Sequence, residues 1–190
     1  PPSVSLLRGL SRLVPATWEA VRLCCARSEE DARRFAEAGL APGRIVSTGS
    51  LKYDVLPHGV DGERVGALRA LFGLSPDAPV VVGGSTFPGE EAALCRAWRG
   101  LRRRHPSLRL VIAPRHIERA SALDRELTSQ GFSVVRKTTL EKGGGPPDEG
   151  VVILVDTIGD LVACYGLAAC AFVGRSLMPP GGGQNMMEPA

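Results

Sequence analysis

Short runs of β-branched and other apolar residues alternate along the chain with longer stretches in which apolar positions recur at helical spacing. The continuous apolar runs predict strands that are buried on both faces. They lie at residues 21–27, 44–50, 78–86, 108–116, 132–138, 151–157 and 169–176. The amphipathic stretches predict helices at residues 28–40, 63–74, 88–105 and 158–168. A further helix is predicted after the strand at 108–116 and ends at Gln130. Strands followed by helices of this length indicate βαβ units and therefore an α/β fold with parallel sheets.

Capping and turn residues indicate where several of these elements begin and end. Ser28, followed by an acidic first turn, predicts a helix N-terminus, and Gly39 predicts the end of that helix. Residues 51–63 contain Pro57 and two glycines and are typical of a linker. Residues 141–150 are rich in glycine and proline and predict a surface loop. The strands before the linker are therefore expected to belong to a different sheet from those after it.

Composition places the chain among globular proteins and gives little support for nucleic-acid binding. It has 190 residues, 44% hydrophobic and 23% charged, with a net charge of +3. Of the 23 basic residues, 20 are arginine. Codon bias in a GC-rich genome and arginines kept for phosphate or carboxylate ligands both remain open as explanations. The basic cluster at residues 99–106 has no interleaved aromatic residues and suits the C-terminus of a predicted helix.

Five cysteines show no spacing typical of a metal site. Each lies in an apolar run and none forms a CxxC pair, which predicts reduced, buried thiols in a reducing compartment. The chain has no signal peptide and no run of about 18 apolar residues, so no membrane-spanning helix is expected.

Candidate chemistry is concentrated just after the predicted strands. In parallel sheets ligands bind outside the carboxyl ends of the strands, so these segments are expected to converge although they are far apart in sequence. The positions are Gly84, Ser85 and Thr86; Pro114, Arg115 and His116; Asp156, Thr157, Ile158 and Gly159; and Gly174, Arg175, Ser176 and the glycine run that follows.

Two of these segments predict anion binding, each with a purely structural alternative. "GGST" before "FPGEE" (83–91) places small residues and hydroxyls at a predicted helix start, where free N–H groups attract anions, although a simple glycine turn would have the same sequence. Arg115 is either a surface residue after a proline turn or a guanidinium that binds a phosphate. His116 is either a structural cap or a second phosphate donor. The chain contains neither a Walker loop nor the GxGxxG dinucleotide motif.

The other two segments are candidates for recognition of a nucleobase and a ribose. Thr157 is either a helix cap completed by Asp160 or part of a loop, 157–161, whose backbone contacts a base or sugar. Glycines before Asn185 allow close backbone approach to a ligand, and a helix that starts at Asn185 is expected to place Glu188 on the same face. Asn185 and Glu188 would form a capping box in the absence of a ligand, whereas a carboxylate also suits a vicinal diol.

Taken in order, these motifs resemble the Kdo transferases, bacterial enzymes that attach 3-deoxy-D-manno-oct-2-ulosonic acid (Kdo) to a lipid A precursor. The resemblance rests on "ARSEEDARRFAEAGL" (26–40), "STGSLKYD" (47–54), "GGSTFPGEE" (83–91), "APRH" (113–116), "DTIGDLVACYGLA" (156–168) and "AFVGRSLMPPGGGQNMMEPA" (171–190). Two positions differ from the family pattern. The family usually has glycine at Arg175, and it has "GGHN" where this chain has "GGGQN", so Gln184 replaces the histidine.

The resemblance implies an α/β fold of the GT-B type, in which two Rossmann-like domains face each other across a cleft. It implies that residues 1–55 end the N-terminal domain, that 56–77 form the interdomain linker and that 78–190 form most of the nucleotide-sugar-binding domain. The sequence is then expected to be a piece of a longer enzyme, truncated at both ends and inactive alone. The family's general base, a glutamate near the start of the N-terminal domain, has no counterpart in it.

The resemblance further implies an inverting transfer of Kdo from CMP-Kdo to the lipid A precursor, with no metal and no cofactor. The N-terminal half of the full-length enzyme would contact the acceptor and the surface of the inner membrane, at the cytoplasmic face of that membrane. Nucleotide-sugar binding is expected from Gly84, Ser85, Thr86, Pro114, Arg115, His116, Thr157, Ile158, Gly159, Asp160, Leu161, Gly182, Gly183, Asn185 and Glu188. The alternatives are a GT-B enzyme that uses a UDP-sugar, of the MurG or lipid A disaccharide synthase type, and a non-catalytic nucleotide-binding module.

Overall fold

A computed structural model describes residues 18–50, 59–179 and 181–184. The chain forms two compact units, Pro1–Leu56 and Pro57–Ala190. Strands before and after the predicted linker lie in separate sheets, as expected. Residues 51–58 of that linker lie outside the described residues, and the assignment of domains to residues 1–55, 56–77 and 78–190 stays a prediction.

The first unit contains a small βαβ arrangement. Its elements are β1 (Cys24–Ala26), α1 (Glu29–Glu37) and β2 (Ile45–Ser47), and the two strands pair in parallel. The Ser28 hydroxyl accepts a hydrogen bond from the backbone N–H of Asp31 at 3.1 Å. This bond satisfies one of the free donors of the first helical turn and confirms the predicted cap.

The second unit is a five-stranded parallel sheet with the order β5-β6-β4-β3-β7. The strands are β3 (Val80–Thr86), β4 (Arg109–Pro114), β5 (Ser133–Arg136), β6 (Val151–Leu154) and β7 (Cys170–Val173). The main helices are α2 (Gly62–Leu71), α3 (Glu90–Leu101), α4 (Ala120–Ser129) and α5 (Leu161–Tyr165). Short helical turns at Ile117–Arg119, Lys137–Thr139 and Leu140–Gly144 complete it.

Alternate residues of the central strands pack against helices on opposite faces of the sheet. Leu110 and Ile112 of β4 belong to one buried cluster, which includes residues of α3 and α4. Val111 and Ala113 belong to the other, which includes residues of α2 and α5. Burial on both faces explains why these strands are continuously apolar in sequence.

The carboxyl ends of the parallel strands lie along one edge of the sheet, and β3 has a bulge at this edge. Gly84 pairs with Ala113 and Thr86 pairs with Pro114, so Ser85 is the extra residue. Ser85 has a φ of 52°, in the left-handed region that non-glycine residues rarely adopt. The bulge places a strained serine where the sequence predicts ligand binding.

Two predicted boundaries are wrong in detail. The predicted linker, residues 51–63, includes Gly62, but this residue begins α2, one position before the predicted helix start at Glu63. α2 packs into the core of the second unit, because Leu68 and the adjoining Phe72 are buried there. The strand predicted at residues 132–138 ends at Arg136, since Lys137 begins a helical turn and its buried ammonium pairs with carboxylates.

The prediction that all cysteines are buried is wrong for Cys25 and Cys170, which are exposed. Cys170 lies in the terminal strand of the sheet order, where one side of the strand has no neighbour among the described residues. Cys95 and Cys164 are buried, and burial raises the pKa of each thiol to about 12. Those two thiols are therefore protonated at neutral pH.

The described part of the chain contains no helix that is both long and apolar enough to cross a membrane. Nor does that part contain a group of three or more His, Cys, Asp or Glu side chains arranged to hold a metal ion.

Candidate functional site

A cavity of about 320 Å³ lies at the carboxyl ends of β3, β4 and β6. Among the predicted site residues, Ser85, Pro114, Arg115, Thr157, Ile158, Gly159 and Leu161 line it. The structure thus brings together segments that are about 30 to 75 positions apart in sequence, as the rule for parallel sheets predicts. Its other walls are apolar and were not predicted: Ala113, Ile117, Val155 and Val162.

Ser85 lines the cavity from a strained backbone. Ser85 is only 9% exposed, and its left-handed φ arises from the bulge in β3. A non-glycine residue in this conformation costs roughly 1–3 kcal/mol and persists only where the surroundings impose it. Such strain is concentrated at functional sites, which makes Ser85 a candidate ligand contact.

Arg115 supplies a positive charge at the same cavity. Its backbone N–H donates to the carbonyl of Thr86 at 3.0 Å, which fixes the residue directly after β4. Its side chain is exposed and, within the described ranges, forms no ion pair. The guanidinium is therefore available to an anionic ligand, for which its planar donors are suited.

Asp160 holds the loop that forms another wall of the cavity. Its carboxylate is buried, accepts hydrogen bonds from Arg64 at 2.8 Å and from the Thr157 hydroxyl, and lies 3.3 Å from the Lys137 ammonium. Burial would raise the pKa of Asp160, but the hydrogen bonds from Thr157 and Arg64 and the charge of Lys137 outweigh it, so the pKa lies below its ordinary value. Asp160 therefore fixes the 157–161 loop from behind.

Of the two alternatives for Thr157, the helix cap is excluded, because α5 begins at Leu161 with Asp160 at the N-cap. The Thr157 hydroxyl donates to the Asp160 carboxylate. Between them, Ile158 is 82% exposed and Gly159 has a φ of 90°. The loop thus presents an apolar side chain and glycine backbone to the cavity.

Several predicted residues lie behind the cavity or away from it. Gly84 faces the Tyr165 ring, and a Cβ at this position would overlap the phenol oxygen. The Thr86 hydroxyl is buried and donates to Glu91 at 3.1 Å. His116 lies 3.3 Å from Glu118 and stacks edge-to-face on Phe87. None of these three side chains lines the cavity.

The predicted helix start at "GGST" is displaced. Gly84, Ser85 and Thr86 belong to β3, and α3 begins at Glu90 after a left-handed Gly89. The N–H groups of residues 84–86 are therefore strand groups and are not the free donors of a helix N-terminus.

The glycine loop after β7 is described only in part. The backbone N–H of Gly183 donates to the carbonyl of Arg175 at 2.8 Å. Gly182 and Gly183 do not line the cavity. Asn185 and Glu188 lie outside the described residues. The roles expected for these positions stay predictions.

Glu90 is a site-adjacent residue that the sequence did not reveal. Its buried carboxylate accepts backbone N–H groups of Phe87, Arg175, Ser176 and Leu177 at 2.9–3.1 Å. Burial would raise its pKa, but these hydrogen bonds outweigh it and the pKa lies below its ordinary value. In a sequence, an acidic residue in the first turn of a helix indicates only a favourable interaction with the helix dipole. It does not indicate a contact with a loop about 85 residues later.

Comparison with known proteins shows similarity to one group of transferases. A family model described as 3-Deoxy-D-manno-octulosonic-acid transferase (kdotransferase) matches residues 2–55. A 3-deoxy-D-manno-octulosonic acid transferase of Haemophilus influenzae is 32% identical over 172 residues, which are 90% of this chain and 39% of that protein. One of Bordetella pertussis is 34% identical over 194 residues, 98% of this chain and 43% of that protein.

Over most of its length the chain is similar to these Kdo transferases.

A solved structure supports the expected fold. It is described as the C-terminal CMP-Kdo binding domain of WaaA from Acinetobacter baumannii. It is 28% identical with a TM-score of 0.58, and the match covers 67% of this chain and 64% of that one. The expected α/β fold is thereby confirmed. The chain spans about two fifths of the length of the curated Kdo transferases it matches.

Proposed function

We propose that the protein containing this chain transfers Kdo from CMP-Kdo to a lipid A precursor, and that the cavity between β3, β4 and β6 holds the CMP part of the donor. The observation that carries this proposal is the meeting of Ser85, Arg115 and the 157–159 loop around one cavity. Its volume of about 320 Å³ and its mixed apolar and polar lining are in the range of small-ligand sites.

The cavity offers different chemistry to the two ends of a nucleotide. Ala113, Val155 and Val162 provide apolar walls for a planar base, and the backbone of residues 157–159 provides hydrogen-bonding groups for its edge. Ser85 and Arg115 provide a hydroxyl and a cationic donor for the phosphate. In this arrangement the 157–159 loop reads the base and the ends of β3 and β4 bind the phosphate.

Binding of the phosphate also explains how these residues would assist transfer. The acceptor hydroxyl oxygen forms a bond to the anomeric carbon of Kdo, while the bond from that carbon to the phosphate oxygen breaks. CMP leaves with the electron pair, and the hydroxyl proton passes to a base outside residues 78–190. Donors fixed before the reaction stabilise the charge that develops on the leaving phosphate, an effect typically worth about 3–4 kcal/mol per donor. Inversion and independence of metals are part of the proposal.

Partners and location follow from this proposed activity. The acceptor is a lipid, so the enzyme works at the inner membrane, on the cytoplasmic side, where CMP-Kdo is supplied.

The proposal is tested by incubating the full-length protein with CMP-Kdo and tetraacylated lipid A precursor and following the release of CMP and the gain in acceptor mass. Transfer with added chelator is expected. Release of UMP or UDP from a UDP-sugar donor, with no reaction of CMP-Kdo, would favour the alternative donors.

A further inference from the structure

Backbone N–H groups occupy all acceptor positions of the Glu90 carboxylate. One oxygen, Oε2, accepts from Phe87 and Arg175, both at 2.9 Å, and the other, Oε1, accepts from Ser176 and Leu177, both at 3.1 Å. A carboxylate offers about four acceptor positions, so this one is saturated. Glu90 has no exposed surface. Its side chain therefore has no capacity left for a ligand and acts entirely on the loop around it.

Three of these donors are consecutive residues of the loop that follows β7. Arg175 has a φ of 63°, and successive N–H groups in a turn of this kind form a concave anion site. Here the anion is internal, since Glu90 comes from the start of α3. The conformation of residues 174–177 is thus built around a carboxylate from another part of the chain.

This loop touches the proposed phosphate end of the cavity. Gly174 packs so closely on the Ser85 carbonyl that a Cβ would overlap it. Ser85 itself lines the cavity. The carbonyl of Arg175 also accepts the hydrogen bond from Gly183, which ties the glycine run to the same loop. A change at Glu90 would therefore reach both Ser85 and the glycine run.

We infer that Glu90 is a positioning residue for the donor phosphate: by holding residues 175–177, its carboxylate sets the Ser85 bulge in the geometry that binds phosphate. This inference rests on the proposed function. It assigns to Glu90 no contact with the ligand.

Glu91 provides a matched control. It follows Glu90 directly and is 1% exposed. Its carboxylate accepts from the Thr86 hydroxyl at 3.1 Å and from Arg119 at 3.2 Å, and none of its hydrogen bonds involves residues 175–177. Glu90→Gln and Glu91→Gln remove the same charge from the same turn of the same helix. Only the first replaces an acceptor of the loop N–H groups by an amide donor.

The test compares CMP with cytidine, which lacks the phosphate, by calorimetric titration of the full-length protein. The ratio of the two affinities does not depend on the folded fraction, because both ligands bind the same folded molecules. Glu90→Gln is expected to reduce this ratio about 10-fold, the equivalent of about 1.4 kcal/mol. Glu91→Gln is expected to keep the wild-type ratio. Glu90→Asp keeps the charge on a shorter side chain, and we expect a ratio between those of Glu90→Gln and wild type.

An unchanged ratio in Glu90→Gln, or an equal fall in Glu91→Gln, would overturn the inference. If Glu90→Gln yields no folded protein, Glu90→Asp decides, and a wild-type ratio in that variant would overturn the inference. Absence of CMP binding to the wild type would instead count against the proposed function.

Discussion

Gly174, at the end of β7, lies directly against the backbone carbonyl of Ser85, at the end of β3. A Cβ on Gly174 would overlap the carbonyl group and would also approach the Cα of Thr86. The neighbouring atoms are backbone atoms, so they cannot move aside as a flexible side chain can. The contact joins the left-handed Ser85, which lines the cavity, to the loop held by Glu90.

Gly174→Ala is therefore expected to destabilise the protein and to weaken CMP binding. Steric crowding of a packed interior typically costs about 1–3 kcal/mol, and we expect a loss in this range from chemical denaturation. Because the displaced group is the Ser85 backbone, CMP affinity is expected to fall more than cytidine affinity in titrations of the full-length protein.

Gly100→Ala is the matched control. Gly100 lies within α3, and a Cβ there would meet no atom within 4 Å. This variant is expected to be more stable by about 0.5–1 kcal/mol, because alanine favours the helix. If Gly174→Ala were as stable as wild type, the close approach of β7 to Ser85 would be incorrect.

Arg115→Ala is expected to lower CMP affinity by about 1.5–3 kcal/mol, the usual range for a hydrogen bond with a charged partner. Cytidine affinity is expected to remain within about 2-fold of wild type, because the guanidinium is assigned to the phosphate. Arg115→Lys should recover only part of the loss, since an ammonium lacks the planar pair of donors.

Arg104→Ala provides the charge control for Arg115, because Arg104 is exposed beyond the C-terminus of α3 and does not line the cavity. It should leave both affinities unchanged. Equal losses of CMP affinity in the two variants would mean that Arg115 acts only through overall charge.

Asp160→Asn is expected to destabilise the protein by about 3 kcal/mol at neutral pH, because it leaves the buried Lys137 with only the half-exposed Glu141 as a charged partner. The folded-state pKa of Asp160 is lowered, so its stabilising effect is full above the ordinary aspartate pKa of about 3.9 and is lost as the pH falls through the folded-state value. The difference in unfolding free energy between wild type and variant should therefore be constant near neutrality and shrink in acid.

Glu141→Gln is the comparison for Asp160, because Glu141 pairs with the same lysine from a side chain that is 46% exposed. A loss of less than about 1 kcal/mol is expected for this exposed pair. An equal effect of the two substitutions, or a difference independent of pH down to pH 2, would refute the role of Asp160 in fixing the loop.

Arg175→Gly is expected to stabilise the protein by about 0.5–1 kcal/mol. A left-handed conformation costs a residue with a side chain roughly 1–2 kcal/mol, and the extra flexibility of glycine in the unfolded chain offsets part of the gain. Arg175 is exposed with a φ of 63°, a conformation that glycine adopts without this cost. A clear loss of stability in thermal denaturation would show that the arginine side chain contributes contacts of its own.

The sequence predicted the sheet and the edge at which chemistry converges, because both follow from local pattern. Continuous apolar runs indicated β3 and β4, and the rule for parallel sheets then placed Ser85, Arg115 and Gly159 together. No knowledge of strand order was needed for that step, since all carboxyl ends of a parallel sheet lie on one side.

What could not be predicted depends on contacts between distant residues. The bulge at Ser85 arises from pairing with β4, and the role of Glu90 depends on a loop that follows β7. A helix cap was one of the two alternatives for Thr157, but its hydroxyl donates to Asp160, which Arg64 and Lys137 hold in place. Local capping rules carry no information about such partners.

The most direct test of the proposed site is calorimetric titration of the full-length protein with CMP, UMP and UDP under identical conditions. If the cavity recognises cytosine and binds a single phosphate, CMP is expected to bind most tightly of the three. Arg115→Ala is then expected to remove most of the difference in affinity between CMP and cytidine. Equal or tighter binding of UDP would contradict the assignment of this cavity to CMP-Kdo.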